Sequence, residues 1–143
     1  MNTQKEKEMD GITPAKTILV VDDEQDILTY LSTLLDDHGY TVRTASNAKE
    51  AWEKILSCAP DLLTLDIMMP KQSGIAFYRN MKLDARTQTI PVIFISAFSM
   101  AQNFTGFRFR KLVPDEEVPE PEGFLEKPIV IPTLLALIRN VIG

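Results

Sequence analysis

The 143-residue chain carries 15 basic and 20 acidic side chains, for a formal net charge of -5, and 45% of its residues are hydrophobic. This composition is that of an ordinary globular domain, and its acidic balance argues against direct nucleic-acid binding, which needs a concentrated basic face. One cysteine, Cys58, and one histidine, His38, exclude an internal disulfide and the usual zinc sites, so any metal would be held by oxygen ligands.

The first residues of the chain, 1–15, are polar and mix both charges, a pattern typical of a flexible leader. They lack the apolar core of a signal peptide, and no run in the chain approaches the roughly 20 apolar residues that span a bilayer. We therefore expect a cytoplasmic protein without membrane contact, whose folded domain covers residues 16–143.

The folded part begins with a strand pattern followed by a helix pattern. Thr17–Val21 is continuously apolar, as expected for a strand buried on both faces of a parallel sheet, and it ends at Asp22 and Asp23. Apolar residues at helical spacing then predict an amphipathic helix over residues 24–38, with Gly39 as its stop. The alternation of strand and helix starts here.

The second pair of elements follows the same pattern. Residues 40–45 predict a strand at the edge of the sheet, and Ser46 or Asn47 caps the next helix. Trp52 lies on the apolar stripe of this helix, which favours a core contact over a binding role. His38, at the end of the preceding helix, is expected to be a surface residue rather than a phosphate carrier.

The third strand pattern, Leu62–Leu65, ends on the carboxylate of Asp66. Pro70 breaks the run before a helix predicted over Gly74–Leu83. A carboxylate delivered to the end of a buried strand is placed either to do chemistry or to cap the next helix.

The last third of the chain is less regular. Residues 91–95 predict a fourth strand that ends at Ser96, and residues 98–123 form an irregular region. A helix is possible over Met100–Leu112, whereas Val113–Gly123 contains three prolines and five acids and is predicted to be neither helix nor strand. A short strand over residues 124–126 leads to Lys127, and a last helix with a broad apolar face begins near Pro132.

The alternation of strands and helices predicts a parallel sheet, in which the ends of all strands meet at one edge. If the first and third strands are neighbours, Asp22, Asp23 and Asp66 crowd together, and a hard divalent ion such as Mg²⁺ would relieve their repulsion. Ser96 and Lys127 end the fourth and fifth strands at the same edge. A metal, an ammonium and a hydroxyl around one carboxylate are the groups that stabilise a phosphoryl group in transfer, with Asp66 as the nucleophile.

Each of these residues also has an ordinary structural explanation. Asp22 or Asp23 could cap the first helix, Asp66 could simply end a strand, and Ser96 could be a loop hydroxyl. Lys127 by itself would be a solvated cation. All of them are expected at the same edge, however, and such a coincidence favours a shared functional role.

These residues carry a family resemblance. The chain from residue 16 to residue 143 resembles the receiver domain of bacterial two-component response regulators in its single-domain form. The matching segments, in the family's order, are Val20–Glu24, Asp66–Pro70 with Gly74, Ser96–Ala97 and Lys127–Pro128. The resemblance implies an α/β fold, a doubly wound, flavodoxin-like, five-stranded parallel sheet of order 2-1-3-4-5 with helices on both faces.

The resemblance also implies a function. Receiver domains are signalling switches rather than enzymes acting on separate substrates, and Asp66 would accept a phosphoryl group from a histidine kinase or a phosphotransfer protein. Mg²⁺ would be bound by Asp22 or Asp23, by Asp66 and by the backbone carbonyl of Met68. The Lys127–Pro128 bond would be cis.

The expected switch residues are Ser96 and Phe124. Phosphorylation would pull Ser96 inward, and Phe124, three residues before Lys127, would rotate toward the space it leaves; the alternative for Phe124 is an ordinary core aromatic. Met68 and Phe98, both large and apolar, would flank the path of hydrolytic water, so slow autodephosphorylation is expected.

Two departures from the family pattern affect the expected output. The interval from Ser96 to Lys127 is unusually long, and Phe107–Lys111 within it is either a partner patch or a basic, partly buried short helix. We expect no output domain after the last helix, and therefore action by docking on an unknown downstream protein or by passing the phosphate onward, with a homodimer as an option. The surface expected to change is that of the fourth helix, fifth strand and fifth helix.

Two other functions are open to a chain of this pattern. A phosphatase of the haloacid dehalogenase type also uses a nucleophilic aspartate at a strand end, but it carries a second aspartate two residues later, where this chain has Met68. A flavin-binding module on the same fold would need a phosphate-binding loop rich in Ser, Thr and Gly after the first strand, which is missing here.

Overall fold

The computed structural model describes residues 14–69, 71–97 and 106–143. The described part contains, in chain order, β1 (Thr17–Val21), α1 (Gln25–Asp37), β2 (Thr41–Ala45), α2 (Ala48–Ser57), β3 (Leu62–Leu65), α3 (Gly74–Leu83), β4 (Val92–Ala97), α4 (Gly106–Leu112), β5 (Gly123–Lys127) and α5 (Ile131–Ile142). Residues 1–13, which make up nearly all of the predicted leader, lie outside the described residues. So do Pro70, Phe98 and residues 99–105.

The five described strands form one parallel sheet of order β2-β1-β3-β4-β5. The fold class is therefore the predicted one, a doubly wound flavodoxin-like sheet, with β2 at an edge as expected. The order reverses between β1 and β3, and ligands bind at such a switch point, beyond the carboxyl ends of the strands. A ligand site is therefore expected among the residues that follow β1 and β3.

Two apolar layers cover the sheet, because successive side chains of each strand point to opposite faces. Leu19 and Val21 face a layer that includes the buried residues of α2, α3 and α4. Ile18 and Val20 face the layer formed by α1 and α5. Burial on both faces explains why β1, β3 and β4 are almost continuously apolar, whereas the edge strands β2 and β5 are only partly buried and include Arg43 and Glu126. None of the helices within the described residues is long and apolar enough to cross a bilayer.

Local signals account for several features of the elements. Asn47 caps α2 by accepting a hydrogen bond from the backbone N–H of Glu50 at 2.8 Å, and this decides between the two predicted caps. Trp52 packs on the core with its ring edge-on to Phe77, as expected of a core contact. The fourth strand begins at Val92 rather than at Pro91, because proline has no N–H to donate to the ladder.

The region between β4 and β5 is where the structure adds most to what the sequence predicts. The described helix α4 covers Gly106–Leu112, within the predicted helix, and the earlier part of that prediction lies outside the described residues. Residues 113–122, which we call the strap, contain no helix or strand, as predicted. The strap is nevertheless anchored in the core, because Val113 and Val118 are fully buried. The short basic helix is also partly buried, with Phe109 in the core and Lys111 exposed.

Candidate functional site

Two aspartates meet where β1 and β3 end. The strands pair in register from Ile18 with Leu62 to Val21 with Leu65, so Asp22 and Asp66 follow at the same level. The ladder continues into this turn, because the backbone N–H of Asp66 donates to the carbonyl of Val21 at 3.0 Å. Both carboxylates are buried, with only 2% of Asp22 and 5% of Asp66 exposed. Burial of two acids side by side is costly and needs a compensating positive group.

A third carboxylate completes the cluster. Each of Asp22, Asp23 and Asp66 offers an oxygen, and these oxygens all lie within 4.8 Å of one another. Asp23 is exposed to solvent, so the cluster has a buried floor and an open side. A small set of carboxylates with room for water is the donor set that Mg²⁺ prefers, so these residues fit the divalent ion predicted from the sequence.

Burial and mutual repulsion dominate the electrostatics of the two buried acids. Burial, followed by the negative charge of Asp22, raises the pKa of Asp66 from 3.8 to about 7, and the nearby Lys127 only partly opposes this. Burial also raises the pKa of Asp22, while a hydrogen bond from Lys127 counteracts the effect. In the absence of a bound cation, the carboxyl of Asp66 therefore takes up a proton far more readily than an exposed aspartate.

Lys127 supplies the positive charge of the site from the end of β5, two strands away from Asp66. Its ammonium nitrogen lies 2.8 Å from Asp22 Oδ2 and 3.8 Å from Asp66 Oδ2. The peptide bond to Pro128 is cis, as the family resemblance implied. Burial disfavours the ammonium, but hydrogen bonds to Asp22 and Glu24 outweigh it and raise the pKa of Lys127 above its ordinary value.

Ser96 and Phe124 lie on the two neighbouring strands β4 and β5. Ser96 is fully buried, and its hydroxyl oxygen has no hydrogen-bond partner among the described residues. Buried hydroxyls are usually hydrogen-bonded, so the Ser96 hydroxyl is suited to form a hydrogen bond with a group that enters the site. Phe124 is half-buried and stacks on Phe94, with ring centroids 5.7 Å apart.

The turn after β3 fixes the remaining oxygen of Asp66. The backbone N–H of Met68 donates to Asp66 Oδ1 at 3.2 Å, while the Met68 side chain is 60% exposed. Gly74 approaches the same turn so closely that a Cβ there would lie 2.2 Å from the carbonyl oxygen of Asp66. Only glycine fits at this position without displacing the backbone beside the candidate nucleophile.

One member of the site was not singled out in the sequence. Glu24 places Oε1 3.0 Å from the ammonium of Lys127. The available signal was a glutamate directly after the acidic pair, at a helix N-cap where Ser, Thr, Asp and Asn are preferred. His38 plays no part here: it is exposed, and its ring Nδ1 lies 2.8 Å from the Leu34 carbonyl in the same helix.

Comparison with known proteins identifies what this chain is similar to. A family model, the response regulator receiver domain, matches residues 18–113. Response regulator Rre1 of Synechocystis is 35% identical over 128 residues, which cover 89% of this chain and 52% of Rre1. DivK of Brucella ovis, a polar-differentiation response regulator, is 28% identical over 131 residues, or 90% of this chain and 97% of DivK. This chain thus spans about half of Rre1 and nearly all of DivK.

Solved structures agree with the sequence comparison. The chemotaxis protein CheY4 of Vibrio cholerae superposes with a TM-score of 0.73 at 26% identity, covering 89% of this chain and 98% of CheY4. A response regulator receiver domain protein from Clostridium thermocellum gives a TM-score of 0.72 at 29% identity, with 89% and 94% of the two chains covered.

Proposed function

This chain belongs to the response regulator receiver domain family, and on that premise we propose that it is a phosphorylation-dependent switch whose phospho-acceptor is Asp66. The observation that carries the proposal is the cluster of three carboxylates, in which the ammonium of Lys127 contacts Asp22 at 2.8 Å and lies 3.8 Å from Asp66. The phosphoryl donor would be a histidine kinase or a phosphotransfer protein. We take residues 16–143 as the receiver unit and residues 1–15 as a leader.

The chemistry assigns one role to each group. An ionised Asp66 oxygen attacks the phosphorus, the bond from phosphorus to the donor nitrogen breaks, and an aspartyl phosphate forms. Lys127 is the cation that would neutralise a phosphoryl oxygen, at the cost of part of its contact with Asp22. The buried hydroxyl of Ser96 would donate to another oxygen, which would satisfy its unpaired donor.

Mg²⁺ is the cofactor that the site would take. Asp22, Asp23 and Asp66 would hold it, with the backbone carbonyl of Met68 as the further ligand implied by the family. When bound, the ion would neutralise charge on the phosphoryl group in transfer. The chain's own acids need such a partner, because Lys127 provides a single positive charge for three carboxylates.

The output would be a change in the surface of α4, β5 and α5, driven through Ser96 and Phe124 and read by another protein or by a second copy of this chain. The stacking of Phe124 on Phe94 supports a role in this change, because it connects β5 to the core beside α4. The phosphatase alternative loses support at Met68, whose exposed thioether cannot act as an acid or a base.

The test is incubation of the purified chain with acetyl phosphate and Mg²⁺, followed by intact-mass measurement. We expect the gain of one phosphoryl group in the native chain and none in Asp66→Asn. Asp61→Asn is the matched control, because Asp61 precedes the same strand at its opposite end, where it accepts a hydrogen bond from the Thr17 N–H. Phosphate on Asp66→Asn, or steady turnover of phosphate esters, would contradict the proposal.

A further inference from the structure

Glu24 occupies an unusual position for a glutamate. It is the N-cap residue of α1, where the side chain ordinarily accepts a hydrogen bond from the first free N–H groups of the helix. The Glu24 side chain makes no such bond. It reaches across the site instead, and its Oε1 lies 3.0 Å from the ammonium of Lys127, which comes from a strand on the other side of β3.

The backbone of Glu24 reinforces this arrangement. Its N–H donates to Asp22 Oδ1 at 2.9 Å, which leaves the other oxygen of that carboxylate, Oδ2, to contact Lys127 at 2.8 Å. Two carboxylates, those of Asp22 and Glu24, thus bind the ammonium of Lys127. Its distance to Asp66 Oδ2 is 3.8 Å, beyond hydrogen-bond reach.

We propose that Glu24 is a positioning residue that keeps the ammonium of Lys127 away from Asp66 until a phosphoryl group draws it over. This inference rests on the proposed function of Asp66 as phospho-acceptor. Since Glu24 is 60% exposed, its pairing with Lys127 is the weaker of the two close contacts and the one that is easily broken. Phosphorylation would then include the loss of the Glu24–Lys127 pair as part of its cost.

The variants that test the inference separate contact from charge. In Glu24→Gln, Lys127 loses a competing partner, and we expect the rate of phosphorylation by acetyl phosphate to rise roughly two- to five-fold, the range that corresponds to an exposed ion pair. Glu24→Asp keeps the charge and places a better capping residue at the helix start, but its shorter side chain falls back from Lys127. We expect it to accelerate phosphorylation as Glu24→Gln does.

Asp26→Asn is the control for simple charge removal. Asp26 is an exposed acid in the first turn of the same helix, so its loss lowers the repulsion of an anionic donor equally without freeing Lys127.

A second measurement needs no phosphate. In metal-free protein, NMR should show that the ammonium protons of Lys127 exchange with water faster in Glu24→Gln and Glu24→Asp than in the native chain. If Glu24 served only to begin α1, these substitutions would leave the exchange rate at Lys127 unchanged.

The outcomes distinguish the two proposals. Acceleration in both Glu24 variants, with a native rate in Asp26→Asn and faster exchange at Lys127, supports the role of Glu24. Equal rates in all four proteins, or equal acceleration in Asp26→Asn, overturns it while leaving Asp66 as the acceptor. If the native chain gains no phosphate, the function proposed for Asp66 fails, and the positioning role fails with it.

Discussion

At the scale of single residues, the fold places the carboxylate of Asp66 where its negative charge is energetically unfavourable. The side chain is almost fully buried, Asp22 lies beside it, and Lys127 is shared with two other acids. A residue that only ended a strand or capped a helix would gain nothing from this position. A divalent ion or the phosphorus of a phosphoryl group can interact favourably with this destabilising negative charge.

The first consequence is a pH-dependent stability. In the unfolded chain Asp66 loses its proton near 3.8, whereas in the folded protein its pKa is about 7. Between these values the folded state holds the extra proton, so the Asp66 contribution to stability falls as the pH rises from about 4 to about 7 and then levels off. In EDTA, Asp66→Asn should therefore raise the free energy of unfolding by roughly 1–3 kcal/mol near pH 8, and by less near pH 5.

Urea unfolding of both proteins at the two pH values measures this difference. Saturating Mg²⁺ should reduce the advantage of the variant near pH 8, because an ion that binds the folded native chain stabilises it. An advantage of Asp66→Asn that is the same at both pH values would rule out titration of this carboxyl as the cause.

At the scale of elements, the strap is a packed part of the domain despite its proline-rich sequence. The buried Tyr78 of α3 donates its hydroxyl to the Pro119 carbonyl at 2.7 Å. Arg79 forms a bidentate pair with Asp115 at 2.8 and 3.0 Å, and Arg110 of α4 donates to the Asp115 carbonyl at 2.6 Å. These contacts connect α4 to α3 through the strap.

Removal of one anchoring group should loosen this connection measurably. Tyr78→Phe keeps the ring but leaves the Pro119 carbonyl without its donor, and we expect a loss of about 1 kcal/mol in the free energy of unfolding. The matched control is Tyr30→Phe, because Tyr30 is 52% exposed and the same change there should cost less than about 0.5 kcal/mol. Equal losses in the two variants would show that the strap contact does not contribute.

At the scale of the whole molecule, a row of aromatic rings connects the strap side of the domain to the candidate switch residue. Phe109 of α4 lies 6.0 Å from Tyr78, Tyr78 lies 5.3 Å from Phe94, and Phe94 stacks on Phe124 at 5.7 Å. A rotation of Phe124 would change the packing of this row. The long interval between β4 and β5 therefore leaves α4 in contact, through these rings, with the proposed switch residue.

A measurement on the whole chain tests this connection. With Mg²⁺ and acetyl phosphate, hydrogen exchange should change at the amides of α4, the strap and β5, and remain unchanged at the amides of β2, on the opposite edge of the sheet. Asp66→Asn under the same conditions should give no change in either region. Changes confined to the first two helices would contradict an output through α4 and β5.

The sequence was informative wherever a local pattern is sufficient. The end of β3 at Asp66, the span of α3 and the absence of regular structure in the strap follow from apolar runs and from the positions of Pro and Gly. The anchors of the strap were not predicted. A buried valine such as Val118 between prolines and acids carries no periodicity that could reveal its partners.

By itself, the amino-acid sequence determined the order of strands and helices and the chemical groups at the strand ends, because these depend on residues close together in the chain. Only the tertiary structure decided that Lys127 contacts Asp22 and Glu24 more closely than Asp66, and that the strap is anchored on α3. Both outcomes depend on contacts between residues tens of positions apart, whose distances are set by the packing of the whole domain.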